Sequence, residues 1–317
     1  MSQQNIRTAI AEGRLATKEK ELKAARKQLA QAVGALEQAR RTRRAPPIAV
    51  PHPRRRNGHI VRVCLGDTHG AQVELPALTT ALADIKTLDP DEIILLGDHV
   101  NCGGFLAQNH VIGYVAETAT SYEEDISRAN SFLDALQKAA PRARIEYLEG
   151  NHERRVERWC VTETLQNGRD AELLRRALAP EFLLRLRQRG IPYRRLAEFH
   201  DGLPVPGVIR RGKCFFFHGF SVAKHATAVT QQAIAGNCVF GHTHRHQADV
   251  VRRVSAGVIG AWNPGCLCQL QPLWQHGKPT DWTHGYAVQL VAQSGAFLHL
   301  NIPIIGAGSQ LTALFKL

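Results

Sequence analysis

Aspartate, asparagine and histidine recur in this chain directly after short apolar runs, each time beside glycine. GDTHG carries Asp67 and His69, and GDHVNCGG carries Asp98 and Asn101. GNHERR carries Asn151 and His152, HG carries His218, and GHTHRH carries His242, His244 and His246. Carboxylates and imidazoles bind divalent ions, move protons and build polar networks. Three readings of GHTHRH therefore stand: metal ligands, one acid–base group with two spectators, or polar side chains on one face of a strand. Each motif alone is common. Their order and shared placement are the signal.

That placement follows from the elements around them. IVRVCL (60–65), EIILL (92–96), RIEYL (144–148), KCFFF (213–217) and NCVF (237–240) read as short buried strands. Helices are expected between them, over 73–87, 120–139, 170–188 with a break near Pro180, and 222–235. Strands alternating with helices predict an α/β fold. Ligands of such folds gather at the carboxyl ends of strands, where all five motifs fall. Residues 247–304 are mostly β in pattern (ADVVRRV, AGVIGAW, YAVQLV, AFLHLNI) and are expected to complete a second sheet.

With 317 residues, 44% hydrophobic and 21% charged, the composition is that of a soluble protein with a sizeable core. No apolar run reaches the roughly 18 residues of a membrane span, and the polar N-terminus is unlike a secretory signal. A cytoplasmic protein with no membrane contact is expected. The seven cysteines lack CxxC spacing; Cys266 and Cys268, one residue apart, read with the others as buried thiols of a reducing compartment.

The net charge of +12 is localised. Residues 1–57 hold 14 Lys/Arg against four Asp/Glu, and residues 58–317 hold 26 against 24. The basic part, free of Pro over 4–44, spaces Leu15, Leu22, Leu29 and Leu36 by seven, with Ala25, Ala32 and Ala39 three after the last three. This Leu/Ala seam suits a helical arm that pairs with itself as a coiled coil, giving a homo-oligomer through 4–44, or that binds as a lone helix. APPIAVPHPRRRNG (45–58), with four prolines, reads as an extended linker.

Taken together and in order, the five motifs resemble those of the calcineurin-like metallophosphoesterases, over roughly residues 60–246. GDTHG and GNHE are similar to the versions in protein phosphatases and dinucleoside-polyphosphate hydrolases. GHTH is similar to the bacterial, phage and repair-nuclease branches. The resemblance implies a two-sheet β-sandwich flanked by helices, over 59–317, following the arm (1–44) and linker (45–58). It also implies two divalent ions. Asp67, His69, Asp98 and His244 would hold one; Asp98, Asn151, His218 and His242 would hold the other, with Asp98 bridging. Such a pair clamps a phosphate and provides a bridging hydroxide as nucleophile near neutral pH. Two anionic ligands among seven leave positive charge for the phosphate. Nitrogen and oxygen donors without thiolate suit Mn, Fe, Zn or Ni, with Mn²⁺ expected.

By the same resemblance His152 is the general acid, oriented by Asn101, and His246 is surplus to the ligand count. Protein phosphatases have Asp where this chain has Asn101, and phosphate-binding arginines where it has Cys102 and Glu149, which weakens a protein-phosphatase reading. Arg154, Arg155, Lys224 and His225 are the candidate substrate contacts. His99 is expected to play a bland role, and Trp262, Trp274 and Trp282 to pack the second sheet rather than cap a pocket. The expected activity is hydrolysis of a phosphodiester, with DNA or RNA held by the basic arm. The alternative is a phosphomonoesterase acting on a nucleotide, phosphoprotein or small molecule, with the arm used for assembly.

Overall fold

The computed structural model describes residues 58–107, 120–164, 168–200, 203–254, 257–272, 275, 277–306, 308–309 and 311. The expected arm and residues 45–57 of the linker lie outside them.

Four strands pair in parallel: β1 (Ile60–Leu65), β2 (Glu92–Leu95), β3 (Arg144–Leu148) and β4 (Tyr193–Arg194). Side chains alternate between two apolar layers, as a period of two requires. Val63, Leu65, Ile93 and Leu95 face one way, in a cluster with Ala81 and Ile85 of α1 (Leu75–Leu88) and Leu133 and Leu136 of α2 (Tyr122–Ala139). Cys64, Ile94, Leu96 and Leu148 belong to a second cluster. Burial on both faces explains why these strands read as unbroken apolar runs. Helix α2 starts where Ser121 Oγ accepts from Glu124 N (3.0 Å), with Glu123, Glu124 and Asp125 in its first turn.

Helices α3 (Arg155–Glu163), α4 (Gly168–Leu178) and α5 (Pro180–Leu183) follow β3. The expected break falls at Pro180, which opens α5, where its missing N–H has no intrahelical partner to lose. A hairpin of β5 (Ala197–His200) and β6 (Leu203–Pro206) leads to the second sheet. That sheet runs β10 (His246–Arg253), β11 (Gly257–Pro264), β9 (Asn237–Phe240), β8 (Cys214–Phe217), β7 (Ile209–Arg211). Its Phe216 and Val239 join Ile94 and Leu148 between the sheets. Phe217, Cys238 and Phe240 turn outward to Ala226 of α6 (Ala226–Ile234). The result is a two-sheet sandwich flanked by helices.

The C-terminal strands differ from the expected arrangement. β10 and β11 do join the second sheet, but β12 (Gly285–Val291), β13 (Phe297–Ile305) and β14 (Gly308–Ser309) extend the first, β12 pairing antiparallel with β1. The reason is that β1 is buried on both faces; left as an edge it would expose a row of unpaired backbone groups. Among the described residues no helix is long and apolar enough to cross a membrane.

The amino ends of the first-sheet strands carry a buried ionic network. Arg62 donates to Glu92 (2.6 Å) and Gln289 (2.8 Å). Arg211 bridges Glu92 and Glu146, and Arg194 also meets Glu146. Glu92→Ala would strand Arg62, which is 3% exposed, without its carboxylate. A loss of about 3–5 kcal/mol is expected in urea unfolding. The double variant Arg62→Met/Glu92→Leu should lose less, because it strands no charge.

Candidate metal centre

Five loops leave the carboxyl ends of parallel strands β1, β2, β3, β8 and β9, and they converge. Asp98, after β2, stands at the centre. Its Oδ2 lies 3.2 Å from His218 Nε2 and 3.9 Å from both His69 Nε2 and His152 Nε2, and its Oδ1 accepts from His152 N (2.9 Å). Asp67 lies beside it, with Oδ1 3.2 Å from His244 Nε2, and its carboxylate accepts from His242 N. His218 Nε2 is 2.9 Å from Asn151 Oδ1, and the rings of His218 and His242 are 5.0 Å apart. His69 and His244 bring their Nε2 atoms within 3.1 Å. All seven predicted ligands are thus brought together.

The backbone is strained to achieve this. Asp67, His69, Asp98, His242 and His244 all have φ between 52° and 72°, in the left-handed region. Each costs on the order of 1–2 kcal/mol for a residue with a Cβ, and such strain clusters where geometry serves a site. The glycines of GNH and GHTH matter for space rather than φ. A Cβ on Gly150 would lie 2.0 Å from Asp98 Oδ1, and one on Gly241 would lie 2.6 Å from Asp67 Oδ2.

Outer partners fix which ring nitrogen faces inward. His218 Nδ1 donates to the Leu96 carbonyl (2.9 Å), and His69 Nδ1 meets Asn101 Oδ1 (3.3 Å). Both leave Nε2 for the centre. Burial opposes charge on every group, but the carboxylates prevail at two imidazoles. Asp98 raises His218 to about 9, and Asp67 raises His244. Burial, then the charge of His244, lowers His69 to about 4; burial, then His218, lowers His242 to about 4. Burial disfavours ionised Asp67 and Asp98, yet the imidazoles facing them hold both below the usual carboxylate range.

This donor set fits a divalent cation. His218 Nε2 faces two acceptors, Asp98 Oδ2 and Asn151 Oδ1, so positive charge must sit among them, as a proton or as an ion. Within it, Asp98–His218–His242, His69–Asp98–His152 and His69–His244–Cys268 each place their donor atoms within 4.8 Å of one another. A cation held by His218 and His244 would have to displace their protons, so its binding would tighten as pH rises.

The other predicted residues divide. His152 sits at the centre, with Nδ1 2.8 Å from the Asn101 carbonyl oxygen. Asn101 therefore meets His152 through its backbone, while its side chain turns to His69. Arg155, 8% exposed, donates to His152 Nε2 (3.1 Å) and to the Asn101 carbonyl (3.3 Å). Burial, and Arg155 in addition, hold His152 well below the usual imidazole range against the pull of Asp98. Arg154 is half-buried at the start of α3, and Lys224 and His225 are exposed before α6. His99 is buried against Thr68 and Phe132, and His246 is exposed. Trp262 packs on His299 between the sheets, whereas Trp282 lies 4.0 Å from the His244 ring. Trp274 lies outside the described residues.

Three supporting residues escaped the sequence reading. Glu153 accepts from the N–H groups of Asp98, His99, Val100 and Gly150 and from the Tyr147 hydroxyl, at 2.7–3.1 Å. Asp125, on α2, accepts from Ala71 N and Gly103 N (3.1 and 2.9 Å), tying the β1 and β2 loops together. Cys268 places Sγ 3.7 Å from His244 Nδ1, behind the ring whose Nε2 faces Asp67. The signals were faint: Glu153 is part of GNHE but resembles any helix-start acid, and Cys268 lies 24 residues from its partner.

The calcineurin-like phosphoesterase family model matches residues 61–246 of the chain. No curated protein matches it. Among solved structures, vacuolar protein sorting 29 from Cryptosporidium parvum is similar at 11% identity and a TM-score of 0.39, over 80% of this chain and 95% of that one.

Gly150→Ala should displace Asp98 without touching the core. Calorimetric titration with Mn²⁺ is expected to show at least about a tenfold loss of affinity, the scale of lost ligand support. Retained affinity would mean that Asp98 does not need this close approach.

Proposed function

The chain belongs to the calcineurin-like phosphoesterase family and is a metal-dependent phosphoester hydrolase; on that premise we propose how its residues divide the work. Asp67, His69, Asp98 and His244 hold one divalent ion, and Asp98, Asn151, His218 and His242 hold a second, with Asp98 shared. The observation that supports this most is the position of Asp98: its carboxylate touches groups from the β1, β3 and β8 loops at once. When bound, the two ions polarise the phosphoryl oxygens and make water a nucleophile near neutral pH. Mn²⁺ is the ion proposed to support activity.

The protein groups bind phosphate and manage the proton. The Asn101 carbonyl oxygen accepts from His152 Nδ1, which fixes the ring and leaves Nε2 facing the centre. Arg155 reaches that Nε2. A phosphate oxygen that takes the Arg155 guanidinium removes a positive charge from beside Nε2, which can then take a proton from solvent and pass it to the leaving oxygen. General acid help of this kind is worth roughly 10²–10⁴-fold. Arg154, Lys224 and His225 make outer contacts with the substrate.

The favoured substrate is a phosphodiester, and among diesters a nucleic acid. The support is the arm, with 14 Lys/Arg against four Asp/Glu over 1–57. The near-neutral remainder, 26 against 24, favours the second reading, a phosphomonoesterase whose helical arm assembles copies or binds a partner. The seven buried, unpaired thiols suit a cytoplasmic setting.

Asp98→Asn should abolish Mn²⁺-dependent hydrolysis of bis(p-nitrophenyl) phosphate while the circular dichroism stays native; full activity would refute the assignment. Faster turnover of the diester than of p-nitrophenyl phosphate is expected, and the reverse order selects the second reading. Deleting residues 1–57 should weaken single-stranded DNA and RNA binding and flatten its salt dependence. Unchanged binding would remove the arm from substrate capture.

A further inference from the structure

A cavity of about 200 Å³ lies between the segment entering α1, the helix α2 and the loops after β1 and β2. Val73, Leu75 and Leu78 border one side, and Ala129, Phe132 and Ala135 of α2 the other. The buried Thr68, Gly70 and His99 form its inner end, and the exposed Arg128 and Leu75 its mouth. Its walls are tied together. Gly70 N donates to the His99 carbonyl (3.0 Å), joining the two loops, and Ala71 N donates to Asp125 Oδ1 of α2 (3.1 Å). The described residues that border the cavity include none of the seven proposed metal ligands, so it is a separate site.

Size, walls and polar ends define what it takes. The volume exceeds the roughly 150 Å³ void that holds a benzene and falls short of the roughly 300 Å³ at which drug-sized sites begin. That suits a single ring with small substituents. Phe132 and His99 both border the cavity and stack with ring centroids 5.2 Å apart, so a further ring finds aromatic partners there. The Arg128 guanidinium at the mouth matches a planar carboxylate. At the inner end Thr68 Oγ1 lies 3.0 Å from His99 Nδ1, but the buried His99 Nε2 has no hydrogen-bond partner among the described residues. A buried polar group without a partner is uncommon, and a ligand hydroxyl would supply one. We propose that this cavity binds a small hydroxyaryl carboxylate, with its carboxylate at Arg128 and its hydroxyl at His99.

The test titrates 4-hydroxybenzoate into the full-length, metal-stripped protein by calorimetry, so that no ion holds the carboxylate. Saturable binding at one site is expected. Benzoate and 4-hydroxybenzyl alcohol each lack one polar end and should both bind more weakly. Arg128→Gln should weaken 4-hydroxybenzoate by about two- to fivefold, the scale of an exposed ion pair, and leave 4-hydroxybenzyl alcohol unchanged. Ala135→Trp fills the cavity from its half-buried wall and should abolish binding of all three. No saturable binding to the wild type, equal affinity for the three compounds, or undiminished binding to Ala135→Trp overturns the proposal. If Ala135→Trp does not fold, the methyl resonances of Val73, Leu75 and Leu78 in the wild-type protein decide. Shifts there on adding 4-hydroxybenzoate support the site, and shifts confined to other residues overturn it.

Discussion

The carboxylate of Glu153 is the constraint on which the centre depends. It gathers three consecutive N–H groups of the β2 loop and one of the β3 loop, and Tyr147 of β3 closes the set. All five partners are donors, so they recognise the ionised acid. Burial, then the charge of Asp98, pull the other way and raise its pKa to about 8. The gain is geometric. A chain reversing direction after a buried strand would leave its N–H groups unpaired in the core, each at about 1–3 kcal/mol. Glu153 satisfies four of them and in doing so sets Asp98 against the His152 N–H.

The rest follows from two sheets delivering loops to one place. Parallel strands put all their carboxyl ends at one edge, and facing two such sheets lets five loops meet. Tight convergence demands left-handed backbone at Asp67, His69, Asp98, His242 and His244, and side-chain-free glycine where loops touch. That strain is offset by bonds each loop makes to its neighbours: Asp67 N to Gly97 O, His69 N to Asp98 O, Gly241 N to His218 O. Two buried polar networks lie at opposite ends of the sandwich. Imidazoles and carboxylates occupy the carboxyl ends, and the Arg62–Glu92–Arg211–Glu146 network the amino ends, with apolar layers between.

Much of this was legible because local chemistry dictated it. NCVF and RIEYL form strands over the residues expected, since their burial leaves no alternative, and the seven expected ligand residues all reach the centre. Boundaries moved where side chains compete: the helix expected from residue 73 begins at Leu75, and that expected from 222 begins at Ala226. What was not legible depends on contacts far apart in sequence. The return of β12 beside β1 places β12 and β13 in the first sheet, and no pattern within YAVQLV distinguishes the two sheets. Asn101 was expected to act through its side chain, but a residue read by type gives no warning that its carbonyl oxygen meets His152. Cys268 looked like any buried thiol until the loop after β11 brought it to His244.

The central claim is that Asp98 is shared between two ions. Electron paramagnetic resonance of the protein loaded with two equivalents of Mn²⁺ tests it most directly. A bridging carboxylate holds the ions close enough for exchange coupling, so a coupled-pair spectrum is the predicted result. An isolated-ion spectrum at full occupancy would contradict the account.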